Sequence, residues 1–116
     1  MLLIWYPKCS TCRKAKAWLD AHGLSCDLRD IKAQPPTAAE LTVWQKVSGL
    51  PLRRWFNTSG QVYRALDLKN RLDGMEEEKQ LELLASDGML VKRPVLVAED
   101  RVLVGFREAD WSGLLP

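Results

Sequence analysis

The stretch Leu2-Leu3-Ile4-Trp5-Tyr6-Pro7-Lys8-Cys9-Ser10-Thr11-Cys12-Arg13-Lys14-Ala15 decides the fold. Leu2 to Tyr6 is an apolar run of the length of a buried strand, and Pro7 ends it. The Cys9-x-x-Cys12 turn then opens a helical pattern. Cys12, Ala15, Leu19 and His22 recur at near-helical spacing with Trp18 beside them, while Arg13, Lys14, Lys16 and Asp20 can face water. Gly23 suits a C-terminal cap. Ser25 to Arg29 reads as a second strand with polar flanks. The opening is therefore a βαβ unit, whose two strands must lie parallel with a right-handed crossover.

Downstream, Gln34-Pro35-Pro36 breaks the pattern. Thr37-Ala38-Ala39-Glu40 is a capping box, with Thr37 at the N-cap and Glu40 at N3. Leu41, Trp44 and Val47 give an amphipathic helix stopped by Gly49. Pro51 can start a short helix through Phe56, and Asn57-Thr58-Ser59-Gly60 is a turn. Val62, Leu66 and Lys69 space one further helix, which Gly74 breaks. Glu76 to Ala85 gives another, with acids in its first turn as the helix dipole prefers. Residues 37–88 are thus read as a helical insert. The chain then returns to strands. Pro94 to Ala98 and Arg101 to Val104 form a hairpin split by Glu99-Asp100, and Arg107 to Leu115 fits a final helix. The whole predicts a four-stranded mixed sheet with an insert between a βαβ and a ββα half. A βαβ start, a Cys-x-x-Cys at the first helix and a proline heading a late strand make the thioredoxin arrangement.

Composition narrows the function. The 116 residues are 47% hydrophobic, which suits one domain over residues 1–116 and excludes a disordered chain. No apolar run approaches the roughly 20 residues of a membrane span. The N-terminus lacks a basic region ahead of its apolar run, so a cytoplasmic setting is expected, with no signal peptide and no membrane partner. A net charge of +2 is too small to imply direct nucleic-acid binding. Three cysteines, an odd count, argue against a secreted disulfide framework. His22 is the single histidine, and no second Cys or His pair exists to complete a zinc site, so no metal is expected. The five tryptophans (Trp5, Trp18, Trp44, Trp55, Trp111) are dispersed and read as packing anchors.

The chemistry sits in the cysteine pair. Cys9 falls just before the helix, where free N–H groups and the dipole favour a thiolate. Cys12, one turn on, can attack a mixed disulfide formed on Cys9. Cys9 is therefore the expected nucleophile and Cys12 the resolving thiol. Cys26, outside any motif, is expected to be structural. Arg93-Pro94 is the second constellation. Proline heading a strand can carry a cis peptide, and in a thioredoxin arrangement this bond lies beside the active cysteine. Arg93 would then reach the Cys9 thiolate and could bind an oxyanion by a bidentate fork. Arg107 is a weaker candidate for the same pocket. Ser10, Thr11 and Pro94 complete the expected substrate-binding set.

Tyr6-Pro7-Lys8-Cys9-Ser10-Thr11-Cys12-Arg13-Lys14-Ala15, Phe56-Asn57-Thr58-Ser59-Gly60, Lys92-Arg93-Pro94 and Val104-Gly105-Phe106-Arg107 together resemble the arsenate-reductase-like family, which includes the Spx and MgsR regulators. The resemblance runs over nearly the whole chain. It implies a thioredoxin-like fold with a helical insert and no bound cofactor. It also implies an external thiol reductant, either glutathione with glutaredoxin or thioredoxin. In the arsenate reductases a cysteine matching Cys9 attacks arsenate and three arginines hold the oxyanion. Arg93 and Arg107 match two of these. Asn57 stands at the third position, with Arg53, Arg54 and Arg64 nearby. A missing guanidinium removes a charge-assisted pair worth about 1.5–3 kcal/mol. The Spx-type regulators resemble this chain in carrying Cys-x-x-Cys and an arginine matching Arg93. They use the pair as a redox switch while binding the C-terminal domain of the RNA polymerase α subunit. The resemblance therefore leaves three functions open: thiol-disulfide oxidoreductase, redox-sensing regulator and arsenate reductase.

Overall fold

The computed structural model describes residues 1–116. Four short strands form one sheet: β1 (Leu2–Trp5), β2 (Asp27–Asp30), β3 (Val95–Val97) and β4 (Val102–Val104). Their order is β2-β1-β3-β4. β1 and β2 run parallel, with Leu2 opposite Asp27, and the other two pairings are antiparallel. The mixed sheet, the parallel βαβ opening and the closing hairpin agree with the reading of the sequence. α1 (Ser10–Ala21) is the crossover. The second strand starts two residues later than the apolar pattern suggests, because the Asp27 N–H bonds the Met1 carbonyl and so sets the register.

Between β2 and β3 lie α2 (Ala38–Ser48), a 3-10 turn (Leu52–Trp55), α3 (Gln61–Ala65), α4 (Leu68–Arg71) and α5 (Glu77–Ser86), with 3-10 turns at Leu72–Gly74 and Gly88–Leu90. The single helix expected over Val62 to Lys69 is in fact two. Asp67 takes a left-handed φ of 52°, which no helix interior tolerates, and its carboxylate accepts the Asn70 amide at 2.9 Å instead. The last helix is likewise shorter than read: α6 (Glu108–Trp111) is one turn, continued as a 3-10 turn over Ser112–Leu114.

Both sheet faces are covered, as strand alternation requires. Ile4, Val95 and Val102 face the insert, where Ile31, Leu41, Trp55, Phe56, Leu68, Leu84 and Leu90 complete a core of 14 buried residues. Leu3 and Leu96 face the other way, against Ala15 and Leu19 of α1 and Trp111 of α6. Trp111 meets Phe106 and Trp18 edge-on, with ring centroids 5.0 and 6.2 Å apart. Trp55 and Trp111 are fully buried, and the other tryptophans are partly buried, in keeping with their role as anchors.

Two devices fix the insert to the sheet. Arg29 of β2 donates to both Glu40 oxygens, at 2.8 and 2.9 Å, and also to the Gln34 and Pro35 carbonyls. Glu40 at the same time closes the capping box with Thr37, so one carboxylate caps α2 and ties it to β2. The hydrogen bonds from Arg29 hold that carboxyl down at about 2, against the cost of its burial. The second device is a short backbone ladder. Lys92 N–H bonds the Trp55 carbonyl at 2.8 Å, Asn57 N–H bonds the Leu90 carbonyl at 2.7 Å, and Phe56 bridges Val91. This ladder places the 3-10 turn beside the segment that leads into Arg93-Pro94.

Candidate functional site

Cys9 is the N-cap residue of α1, in extended backbone (φ −91°, ψ 121°). Pro7 and Lys8 make the turn before it, and Cys9 N–H closes that turn on the Tyr6 carbonyl at 2.9 Å. The α1 helix buries Cys12, Ala15 and Leu19 together, so the spacing that seats α1 on the sheet also puts Cys12 under Cys9. Both thiols are free; Cys9 is half-buried and Cys12 fully buried.

The two thiols differ sharply in acidity. Burial pushes Cys9 up, but the Cys12 backbone N–H, the Cys12 thiol, the Arg93 charge and the Thr11 N–H together bring it below its ordinary value. Cys9 makes no side-chain capping hydrogen bond at the start of α1, and the N–H groups of the first turn favour a negative charge on its sulfur. Burial pushes Cys12 up to about 12, and a charge on Cys9 pushes the same way, while the Tyr6 N–H, 3.5 Å from its sulfur, opposes both. The first proton therefore leaves Cys9.

Arg93 carries an uncompensated charge. Its Nη1 reaches the Val91 and Met89 carbonyls only at 3.4 and 3.5 Å, and its Nε is buried without a hydrogen-bond partner. The guanidinium lies 5.7 Å from the centre of the Tyr6 ring. The Arg93-Pro94 peptide is cis, as the sequence reading expects, and Pro94 is buried at the head of β3.

Cys9 opens into a cavity of about 660 Å³. Thr11, Arg93 and Arg107 of the expected set line it, whereas Ser10, exposed at the start of α1, and Pro94 do not. Asn57 lines it where the resemblance calls for an arginine. Of the three neighbouring arginines, only Arg54 reaches the cavity. Arg53 pairs instead with Asp73, and Arg64 is exposed away from it. Lys92 and Asp110 also line the cavity, and the sequence reading assigned them no role. The signal for Lys92 was its adjacency to Arg93; for Asp110 there was none. No group of three or more His, Cys, Asp or Glu side chains converges to hold a metal ion. No helix is long and apolar enough to cross a membrane. Cys26 is partly buried against the α1 side of the sheet, where burial raises its pKa.

A half-buried thiol at the start of the first helix, a buried partner one turn on and a cis-proline at the head of β3, all on this sheet, define a thioredoxin-like protein. The chain belongs to the ArsC family, whose model matches residues 4–114. It is 55% identical over 108 residues to the uncharacterized protein YusI of Bacillus subtilis (strain 168), covering 93% of this chain and 92% of that one. It is 31% identical over 110 residues to the global transcriptional regulator Spx of Enterococcus faecalis (strain ATCC 700802 / V583), covering 95% of this chain and 82% of Spx. A crystal structure of an ArsC family related protein from Bacteroides fragilis superposes with a TM-score of 0.96 at 49% identity, covering 97% of this chain and 95% of that one.

Proposed function

We propose that the chain is a thiol-disulfide oxidoreductase working through Cys9 and Cys12. The observation that carries this reading is the asymmetry of the pair: one thiol accessible and acidified, its neighbour buried and held protonated. The Cys9 thiolate attacks one sulfur of a substrate disulfide, and that S–S bond breaks as the other sulfur leaves. Cys12 then loses its proton, attacks the Cys9 sulfur of the mixed disulfide and expels the second substrate thiol. The substrate gains two electrons, and the pair becomes a disulfide that an external thiol, glutathione with glutaredoxin or thioredoxin, reduces again. Arg93 holds negative charge at the Cys9 sulfur during attack and departure. Such a cycle belongs in a reducing cytoplasm.

The test is a trap. With a labelled small disulfide, Cys12→Ser should accumulate one equivalent of mixed disulfide on Cys9, wild type should release the label and close Cys9–Cys12, and Cys9→Ser should do neither. Absence of the adduct in Cys12→Ser, or equal labelling of Cys9→Ser, would overturn the proposal.

The alignment with Spx over 95% of the chain favours a second reading. There the pair is a switch, and the partner is the C-terminal domain of the α polypeptide of RNA polymerase. Binding of that domain by the chain, retained when both cysteines are serine, would support it. The cluster of Arg54, Arg93 and Arg107 around the cavity keeps arsenate as a third; turnover of arsenate that vanishes in Cys9→Ser is its test.

A further inference from the structure

The cavity beside Cys9 has a sign. Arg54, Lys92, Arg93 and Arg107 line it against one carboxylate, Asp110. The ion pairs of the chain all lie elsewhere, so none of the four cations is neutralised by a neighbour. One piece of backbone brings three of them together. Lys92 N–H bonds the Trp55 carbonyl at 2.8 Å, which sets Arg54, the residue before Trp55, beside Lys92 and Arg93. The Lys92 stem runs across Gly105, whose φ is 75°; a side chain there would come within 3.1 Å of Lys92 Cε. Arg93 makes its hydrogen bonds through Nη1 alone, so the donors of Nη2 are unused. Asn57 stands beside it, since Asn57 Nδ2 donates to the same Met89 carbonyl, at 3.4 Å against 3.5 Å for Arg93.

These cations divide into two groups. Arg93 favours a charge on the Cys9 sulfur. Arg54, Lys92 and Arg107 line the same cavity and pair with nothing, so they are free to meet charge on whatever Cys9 attacks. Cys12, buried one turn on from Cys9, resolves a sulfur bonded to Cys9, so the atom attacked is sulfur. Groups that meet more charge in the transition state than in the bound substrate are the ones that accelerate a step. A neutral disulfide expels a thiolate with one charge. A thiol capped through sulfur by a sulfonate group binds with one charge and expels sulfite with two. The second kind of leaving group makes fuller use of such a wall.

Resting on the thiol-disulfide reading, we propose that the substrate is an S-sulfonate, a small thiol joined through its sulfur to a sulfonate group, which Arg54, Lys92 and Arg107 surround. The Cys9 thiolate attacks the thiol sulfur of the substrate. The S–S bond to the sulfonate breaks, and its electron pair leaves with sulfite. Cys12 then loses its proton, attacks the Cys9 sulfur and expels the substrate thiol. The substrate gains two electrons, Cys9 and Cys12 become a disulfide, and their two protons end on the released thiol and on sulfite.

The test uses Cys12→Ser, in which the first step stops at the Cys9 adduct, and two probes that carry one aromatic thiol. One probe is its S-sulfonate and the other its mixed disulfide with methanethiol. Adduct formation on Cys9 is followed by mass spectrometry. Each rate is divided by that of the same probe with dithiothreitol, which removes the intrinsic difference between leaving groups. The quotient should be at least about tenfold larger for the S-sulfonate, and added salt should shrink that preference. Adding Arg54→Gln and Lys92→Gln together should cut it by about tenfold, the worth of one charge-assisted hydrogen bond. Both side chains are exposed, so the fold does not rest on them. Equal quotients, or a preference untouched by salt or by the two substitutions, overturn the S-sulfonate assignment while the thiol-disulfide reading stands. No adduct with either probe overturns both.

Discussion

Replacing Glu40 by Gln isolates the charge that ties the insert to the sheet. Gln keeps the shape of the side chain and can still accept the Thr37 N–H at the helix start. It loses the charge that faces the two Arg29 nitrogens. A carboxyl held at about 2 instead of the ordinary 4.5 stores at most about 3.4 kcal/mol, at 1.36 kcal/mol per tenfold in proton affinity. Glu40 is 32% exposed and Arg29 19%, so water screens the pair, and the expected loss is about 1–2 kcal/mol at neutral pH. The pH dependence has a definite sign. A carboxyl whose pKa is depressed on folding contributes its full stability above the unfolded value of 4.5, and that contribution fades as the pH falls toward about 2. Gln does not titrate, so the gap between wild type and Glu40→Gln should be widest at neutral pH and close in acid. Urea unfolding followed by tryptophan fluorescence measures it, since Trp44 and Trp55 both pack in the insert. A gap below about 0.3 kcal/mol at neutral pH, within the range of an ordinary surface substitution, would refute the reasoning. So would a gap that stays constant into acid.

Two further outcomes follow from the site and the core. Arg93→Met should move the midpoint of Cys9 alkylation by iodoacetamide to higher pH, because a cation that favours the thiolate is gone; an unchanged midpoint would remove Arg93 from the account of Cys9 acidity. Gly88→Ala should destabilise the chain by about 1–3 kcal/mol in urea unfolding, because the added methyl meets the Ile31 carbonyl, backbone that cannot step aside. A neutral result there would mean that the turn before β3 has more freedom than its buried packing indicates.

The elements that could be read from sequence are those whose signal is local. The apolar run of β1, the β-branched hairpin and the Thr37-x-x-Glu40 box each carry their geometry in adjacent residues. The Cys9-Cys12 spacing does the same for the site. What was not legible either left no mark in the apolar spacing or depended on partners distant in sequence. Asp67 breaks a regular helical pattern by a left-handed turn, and nothing in the Val62, Leu66, Lys69 spacing marks it. The choice among Arg53, Arg54 and Arg64 is similar. Along a 3-10 turn neighbouring residues point about 120° apart, so Arg54 reaches the cavity while Arg53 turns to Asp73. The same turn ends in the ladder between Trp55 and Lys92, which joins segments far apart in the chain. The pairing of Arg29 with Glu40 was equally hidden, since the box alone explains the glutamate.

α1 begins on a residue whose side chain makes no capping hydrogen bond to the first helical turn. The N–H groups and the Arg93 charge that lower the Cys9 pKa favour its thiolate, so wherever Cys9 is ionised the reduced chain has a gain that a Cys9–Cys12 disulfide, having no charge to offer, forfeits. Folding and electron uptake form a closed thermodynamic cycle, and the difference therefore reappears in full as electrochemical potential. For a two-electron couple each 1.4 kcal/mol is about 30 mV. In the proposed cycle an imperfectly finished helix raises the electron affinity of the oxidised pair. The external thiol that resets it then works downhill by the same amount.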